Sequence, residues 1–254
     1  MVQYAAKFCR LSTLASDIAS DIIRRLHSMD SLFFQSSKSI KLITKSLQPS
    51  GANLIAVRDY PAFPWETIWK LAFSNMLGNK LMDFQWRLAH HILYTGKRIK
   101  DWGMGDGICP CEQCNEIETI SHIFWECPKA KTVLIWVEKI FHSLAGDNSS
   151  FNMKLYLFGF PCVDFPQIVF NRIWFIFCIT KFAIWKSRCL HIFEDQAQTG
   201  TALLSIIAKE IKTRVEADFS RLTKHQFSKL WTSGTSFVKI KKDKLHINLK
   251  TNVS

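Results

Sequence analysis

A chain of 254 residues with 48% hydrophobic content is long enough to bury one large domain or two small ones. Its formal net charge of +12 suggests a polyanionic partner such as nucleic acid, although many basic domains have no such partner. The eight cysteines are unevenly spaced, which argues against a secreted disulfide scaffold and indicates a reducing compartment, nuclear or cytoplasmic.

The N-terminal residues 1–56 are predicted to be a helical segment followed by a linker. Apolar residues recur at helical spacing between Ile18 and Leu26, and QPSGAN at 48–53 has the composition of a turn. The first residues contain no continuous apolar stretch of the kind that forms the core of a secretory signal peptide. No such signal is therefore expected.

A first long helix is predicted from about residue 80 to residue 94. Phe84, Leu88 and Ile92 fall on one face of it, which gives the segment a buried side. Gly96 follows at the position where a glycine commonly ends a helix. The sequence therefore predicts that this helix stops just before Gly96.

Three more helices are predicted downstream, and they make the fold mostly α. One begins at Pro128, and the others span 167–193 and 201–223. The helix at 167–193 is the most apolar, but Arg172 and Lys181 interrupt it. Because a charge near the centre of a bilayer costs roughly 3 kcal/mol, a buried core helix is favoured over a membrane span.

The residues after 145 are predicted to be a C-terminal helical region, 146–238, followed by a basic tail, 239–254. The tail contains the alternating stretch KIKKDKLHINLK. A short strand is one interpretation of this alternation, and a frayed end is the favoured one.

The stretch CPCEQCNEIETISHIFWEC, residues 109–127, contains four cysteines and one histidine. A CxxC turn delivers two thiolates to one zinc ion, and a histidine and cysteine four residues apart supply a second pair. Four protein ligands leave no open coordination position, so such a zinc is structural. The predicted ligands are Cys111, Cys114, His122 and Cys127.

Cys109 is a fifth candidate ligand, separated from Cys111 only by Pro110. A C-x-C pair rarely makes a two-ligand turn alone, so we interpret Cys109 as a spare thiol. Two alternatives to zinc stay open: unrelated thiols, and a redox centre. The redox interpretation needs a CxxC at the start of a helix in a βαβ unit, which the surrounding sequence does not suggest.

Several motifs between about residue 58 and residue 140 occur together. They are the W-x-x-I-W entry, FQWRLAHHILYTGKRI, the CxxC, the ET pair, HIF and Cys127, and IW-x-x-R follows at 184–188. With these motifs the stretch resembles the zinc-binding domain that follows the polymerase in reverse transcriptases of non-LTR, LINE-type retrotransposons, and IW-x-x-R fits the helical region that follows in such elements. The resemblance implies a zinc-binding domain at 57–145, the same four ligands, and a polymerase supplied elsewhere as a partner.

Catalysis is not expected. The paired-aspartate motif of such polymerases does not occur in the sequence, and neither a Ser-His-Asp pattern nor a phosphate-binding glycine loop is recognisable. His90 and His91 are adjacent, and a helix turns adjacent residues toward different faces. The sequence thus predicts a non-catalytic module, and the resemblance implies that it derives from a LINE-type reverse transcriptase. The alternative is a structural or protein-interaction remnant.

The cysteine-rich stretch itself is a poor phosphate-binding element. Between Gly105 and Pro128 there are five acidic residues and no lysine or arginine. RNA or DNA, the expected partners, are therefore predicted to contact the basic flanks, with Trp86, Tyr94 and Trp102 available to stack on bases unless they are core residues. The candidate contacts are Arg87, Lys97, Arg98, Lys100, Lys129 and Lys131.

Overall fold

The computed structural model describes residues 60–112, 114–160, 165–232, 235 and 237–249. The N-terminal helical segment and linker predicted for residues 1–56 lie outside the described residues. Helices dominate the described part, so the expected mostly α fold is confirmed. The α-helices are α1 (Trp65–Leu71), α2 (Asn79–Ala89), α3 (Gly96–Asp101), α4 (Pro128–Ala145), α5 (Met153–Phe158), α6 (Gln167–Glu194), α7 (Gly200–Arg221) and α8 (Lys224–Phe227).

Short elements of two other kinds, π-helical turns and β-strands, complete the described architecture. Five-residue π-helical turns occur at His122–Glu126, just before α4, and at Ser228–Thr232, just after α8. Strands β1 (Val238–Lys241) and β2 (Lys244–Ile247) pair as an antiparallel hairpin. The cysteine-rich stretch lies between α3 and α4.

Helix α6 is the centre of the core, and α2, α4 and α7 pack against it. Its residues from Ile173 to Cys178 are buried on every side, as expected for a helix that is hydrophobic all round. Among the described residues, α6 is the helix whose length and mean hydropathy would allow it to cross a membrane. In the structure, 67% of its most apolar window is buried inside the protein.

The two cations inside the apolar run of α6 are both buried and both hydrogen-bonded. The Arg172 guanidinium donates to the backbone carbonyls of Lys229 and Leu230. Lys181 Nζ donates to the carbonyl of Leu157 at 2.9 Å and lies 4.2 Å from the centre of the Trp174 ring. Burial lowers the pKa of Lys181 to about 8. The two charged residues whose presence favoured a core helix over a membrane span therefore both have hydrogen-bond acceptors within the core.

The predicted helix at 80–94 is shorter in the structure, and the expected role of Gly96 is wrong. Helix α2 ends at Ala89 because His91 takes the left-handed conformation, with φ of 53°. Thr95 then caps a new helix through its hydroxyl, which accepts from the Arg98 amide at 3.3 Å. Gly96 is therefore the first residue of α3 and not the stop of α2.

The later helices lie close to their predicted positions. Pro128 is the first residue of α4, where its missing N–H costs nothing, and the apolar stripe of that helix faces the core. Helices α6 and α7 begin and end within two residues of the predicted bounds.

The expected frayed end is wrong for 238–247, which form the β-hairpin. Val238 pairs with Ile247 and Ile240 pairs with Leu245, so apolar side chains share one face of it. That face packs against α7 and the second π-helical turn.

Candidate metal centre

The residues after α3 form a tight hairpin that brings cysteines from its two arms together. Ile108 and Ile117 pair as an isolated bridge, and the Cys109 amide donates to the carbonyl of Glu116 at 2.9 Å. In the turn, the Cys114 amide donates to the carbonyl of Cys111 at 2.9 Å. Cys109 and Cys114 consequently face each other.

The other half of the centre comes from the π-helical turn His122–Glu126 and the residue after it. The His122 amide donates to the Thr119 hydroxyl at 3.0 Å, which fixes the start of that turn. Cys127 then caps the N-terminus of α4. One turn of chain thus presents a ring nitrogen and a thiol to the cysteines of the hairpin.

Cys109, Cys114, His122 and Cys127 bring one ligand atom each to within 4.8 Å of one another. The sulfurs of Cys114 and Cys127 are 3.6 Å apart. Two thiolates about 2.3 Å from a tetrahedral zinc ion lie about 3.8 Å from each other. The spacing of the donor atoms therefore suits a tetrahedral ion.

His122 supplies an independent test of whether these residues fit a metal. The side chain is buried, and its Nε2 has no hydrogen-bond partner. Its Nδ1 lies 3.9 Å from a carboxylate oxygen of Glu126. A buried nitrogen without a partner costs on the order of 1–3 kcal/mol, and a metal ion would satisfy it. The donor set and its unpartnered nitrogen fit a bound metal.

The three clustered thiols differ sharply in acidity because they hydrogen-bond to one another. The thiol of Cys109, and then the amides of Lys129 and Ala130 at the start of α4, lower the pKa of Cys127 to about 4 against the effect of burial. Burial and the hydrogen bond with Cys127 raise the pKa of Cys114 to about 12. The hydrogen bond with Cys127 and burial also raise the pKa of Cys109. The hydrogen bonds within the cluster thus lower the pKa of Cys127 and raise the pKa values of the other two thiols.

The sequence predicted Cys111 as the first ligand and left Cys109 as a spare thiol. The structure clusters Cys109 with the other three predicted ligands, while Cys111 lies in the turn. The Cys111 amide hydrogen-bonds to the sulfur of Cys109 and so supports the thiolate form of that residue. The spacing alone could have indicated this arrangement. Four residues separate Cys109 from Cys114, and four also separate His122 from Cys127.

Glu118 of the ET pair has a role that the sequence did not reveal. It is buried, and its carboxylate accepts two hydrogen bonds from Arg188, at 3.0 and 2.7 Å. The same carboxylate accepts from the amide of Gly96 at 2.6 Å. Glu118 therefore ties the cysteine-rich hairpin to both α3 and α6, and Arg188 belongs to the IW-x-x-R motif.

The six predicted nucleic-acid contacts are placed in different environments. Arg87 is exposed and pairs with Asp83 at 3.1 Å. Lys97, also exposed, pairs with Asp101 at 3.5 Å. Their charges are thus partly neutralised by neighbours one helical turn away.

Of the other four predicted nucleic-acid contacts, two have packed side chains and two have exposed ones. Arg98 donates to the carbonyl of His91 at 2.7 Å and lies over the Trp102 ring. Lys129 is half-buried beside the thiols, and burial lowers its pKa. Lys100 and Lys131 are exposed and have no ion pair among the described residues.

The candidate stacking residues are partly accessible. Tyr94 is 55% exposed and meets the edge of Trp102 at 5.6 Å between ring centres. Trp86 is 37% exposed and packs against His90, and the His90 ring also stacks on Trp69. Tyr94 thus offers the more open surface of the two.

Comparison with known proteins found a family match for the region that contains this cluster. Residues 53–136 match the model of a family described as zinc-binding in reverse transcriptase. The resemblance of this region to a reverse-transcriptase zinc-binding domain is therefore confirmed. No match was found among curated proteins or among solved structures.

The match to the reverse-transcriptase zinc-binding family covers α1 to α3, the cysteine-rich hairpin and the first half of α4. All four clustered ligands lie inside it. Helices α5 to α8 and the C-terminal hairpin lie outside it. The family is a zinc-binding domain and not a catalytic one.

Proposed function

We propose that this chain is a non-catalytic module in which one structural Zn²⁺ braces a helical domain that binds nucleic acid. The observation that carries the proposal is the Cys3His cluster, three of whose four residues are buried, with its unpartnered histidine nitrogen. The proposed ligands are Cys109, Cys114, His122 and Cys127.

Three thiolates and one imidazole are a donor set that zinc prefers, and four protein ligands leave no position for a catalytic water. When bound, the ion would join the hairpin to the π-helical turn and to the start of α4. Three thiolates and Zn²⁺ carry a net charge of about −1. Half-buried Lys129, beside the thiols, would offset that charge.

Metal analysis of the purified chain tests the first half of the proposal. One equivalent of zinc per chain is expected, and His122→Ala should lower it below half an equivalent. The matched control is His142→Ala, because His142 lies on α4 outside the cluster. A wild-type chain without zinc, or unchanged zinc in the His122 variant, would refute the metal site.

The support for nucleic-acid binding is the net charge of +12 and the reverse-transcriptase context of the matched family. Helix α3 offers the most suitable surface, with exposed Lys97 and Lys100 near Tyr94 and Trp102. Lysines would hold phosphates and the aromatic rings would stack on bases. Derivation from a LINE-type element, with a polymerase supplied by another chain, is part of the same proposal.

Fluorescence anisotropy with a structured RNA, a single-stranded DNA and a duplex tests this second half. A binder that neutralises about six phosphates should lose roughly 10³-fold in affinity between 50 and 200 mM salt. Charge reversal at Lys97 and Lys100 should weaken binding more than charge removal at Glu112 or Glu116. Absence of binding at low salt would instead favour a structural or protein-interaction remnant.

A further inference from the structure

The register of the C-terminal hairpin separates its side chains into an apolar face and a basic face. Lys239 pairs with His246, and Lys241 pairs with Lys244. Because side chains alternate along a strand, these four project away from the face that carries the apolar residues. All four are exposed. The outer face of β1 and β2 is therefore entirely basic.

The hairpin is anchored to the domain, which gives this face a fixed position. Phe237 and Val238 are buried, and the Asn248 amide donates to the carbonyl of Phe237 at 2.8 Å. Lys242 and Asp243 form the turn with φ of 49° and 59°, the backbone of a two-residue hairpin turn.

Within the described part of the chain, the lysines of the basic face have no acidic partner; Glu216 of α7 lines a cavity together with His246, but its carboxylate pairs with Lys212 at 3.7 Å. Asp243 is the sole acid among residues 238–247, and it pairs with Lys224 of α8 at 2.9 Å. Lys239, Lys241 and Lys244 have no ion pair among the described residues. Like charges directly opposite each other in a sheet are destabilising, so the pair formed by Lys241 and Lys244 has a cost. A polyanion on this face would remove that cost.

We propose that Lys239, Lys241, Lys244 and His246 form a phosphate-binding face for nucleic acid, separate from the α3 surface of the proposed function. The face has no aromatic side chain to stack on a base, so the contacts would be to the backbone and independent of sequence. A lipid surface fits less well, because the apolar side chains of the hairpin lie on the opposite face and a membrane-bound basic element needs apolar residues to insert.

The test uses the full chain, a labelled 20-nucleotide RNA and a 20-base-pair duplex of two unrelated sequences. The variant Lys239→Glu/Lys241→Glu/Lys244→Glu should bind at least ~10-fold more weakly at 100 mM salt, with a log–log salt slope smaller by about 3. The loss should be the same for both sequences. The control Lys70→Glu/Lys139→Glu/Lys186→Glu makes the same change in net charge at three exposed lysines on other elements.

Equal losses in the hairpin variant and the control would overturn the proposal, because net charge alone would then explain binding. Wild-type affinity in the hairpin variant, with loss in Lys97→Glu/Lys100→Glu, would also overturn it and leave the α3 proposal standing. No binding by the wild type at low salt would overturn both. Binding to vesicles rich in anionic lipid that only the hairpin variant loses, with nucleic-acid binding unchanged, would assign the face to membranes and refute the proposal.

A variant with neutral substitutions tests whether a loss of binding results from misfolding. Lys239→Gln/Lys241→Gln/Lys244→Gln removes the charges without creating acids, and it should show the same direction of change with a smaller loss. Its circular dichroism spectrum should match that of the wild type. An affinity equal to the wild-type value in this folded variant would contradict the proposal.

Discussion

Arg188 of α6 and Glu118 of the cysteine-rich hairpin form a two-point ion pair, with N–O distances of 3.0 and 2.7 Å. The side chains are only 8% and 1% exposed. Glu118 lies inside the stretch that matches the zinc-binding family and Arg188 lies outside it. The pair therefore attaches the cysteine-rich hairpin to the central helix of the domain.

Replacing Arg188 with alanine should destabilise the protein by about 3 kcal/mol. The change would leave the buried carboxylate of Glu118 with the Gly96 amide as its hydrogen-bond donor among the described residues, and an uncompensated buried charge is costly. Urea unfolding followed by circular dichroism measures the loss. The matched control is Lys97→Ala, which breaks an exposed pair and should cost about 0.5 kcal/mol or less.

The double variant Glu118→Gln/Arg188→Met refines this prediction. Removing both charges should be less destabilising than removing Arg188 alone, since no buried charge is left without a partner. A double variant as unstable as the sum of the two single variants would show that the residues act independently.

Gly96→Ala should destabilise the protein by about 2 kcal/mol, because a Cβ at this position overpacks the contact with the hairpin. The added carbon would lie 2.7 Å from the carbonyl oxygen of Gly107 and 2.9 Å from the Cβ of Glu118. Gly78→Ala is the control, because nothing lies within 4 Å of a Cβ there. Equal unfolding free energies for the two variants would contradict the close approach of α3 and the hairpin.

Stability should rise with pH above 8 because of Lys181. Burial lowers the folded-state pKa of Lys181 to about 8, whereas an unfolded lysine titrates near 10.4. Between these values the unfolded chain holds more protons, so the free energy of unfolding increases with pH. Relative to Lys181→Met, the wild type should gain roughly 1 kcal/mol between pH 7 and pH 9.

The Lys181→Met comparison isolates that titration. The carbonyl of Leu157 keeps a hydrogen bond from Gln85 at 3.2 Å, so the variant leaves no orphaned acceptor. Cys178 is close to Lys181, and burial raises its pKa to about 12, so its thiol stays protonated in both proteins over this range. Parallel stability curves for the two proteins from pH 7 to pH 9 would refute the lowered pKa.

Removal of the metal should loosen the centre locally. Because metal binding is coupled to folding, chelation should speed amide hydrogen exchange in residues 107–130. Helix α7 has no residue in the cluster and serves as the internal reference. Exchange that is unchanged in 107–130, or that accelerates equally in α7, would argue against a structural role for the ion.

The elements that the sequence predicted well are those with a long apolar period. Helices α4, α6 and α7 each carry a stripe or a continuous apolar run over many turns, so their positions follow from periodicity alone. The break between α2 and α3 depends on one left-handed residue, His91, and on the Thr95 cap. Such local geometry has little periodic signature.

The centre could be predicted as a set of residues but not as a set of contacts. The spacing identified three of the four clustered residues, since local turns bring Cys114, His122 and Cys127 together. The choice between Cys109 and Cys111 depends on the bridge between Ile108 and Ile117. The Glu118–Arg188 pair joins residues 70 positions apart, a distance over which sequence spacing carries no information.

The central claim is that Cys109 completes a Cys3His zinc site while Cys111 lies outside it, and two serine variants test it directly. Purified Cys109→Ser and Cys111→Ser are compared for zinc per chain and, after exchange with Co²⁺, for thiolate-to-cobalt absorption. We expect Cys111→Ser to keep one equivalent of metal and the wild-type absorption, whereas Cys109→Ser loses both. Full metal content and absorption in Cys109→Ser, with their loss in Cys111→Ser, would contradict the account.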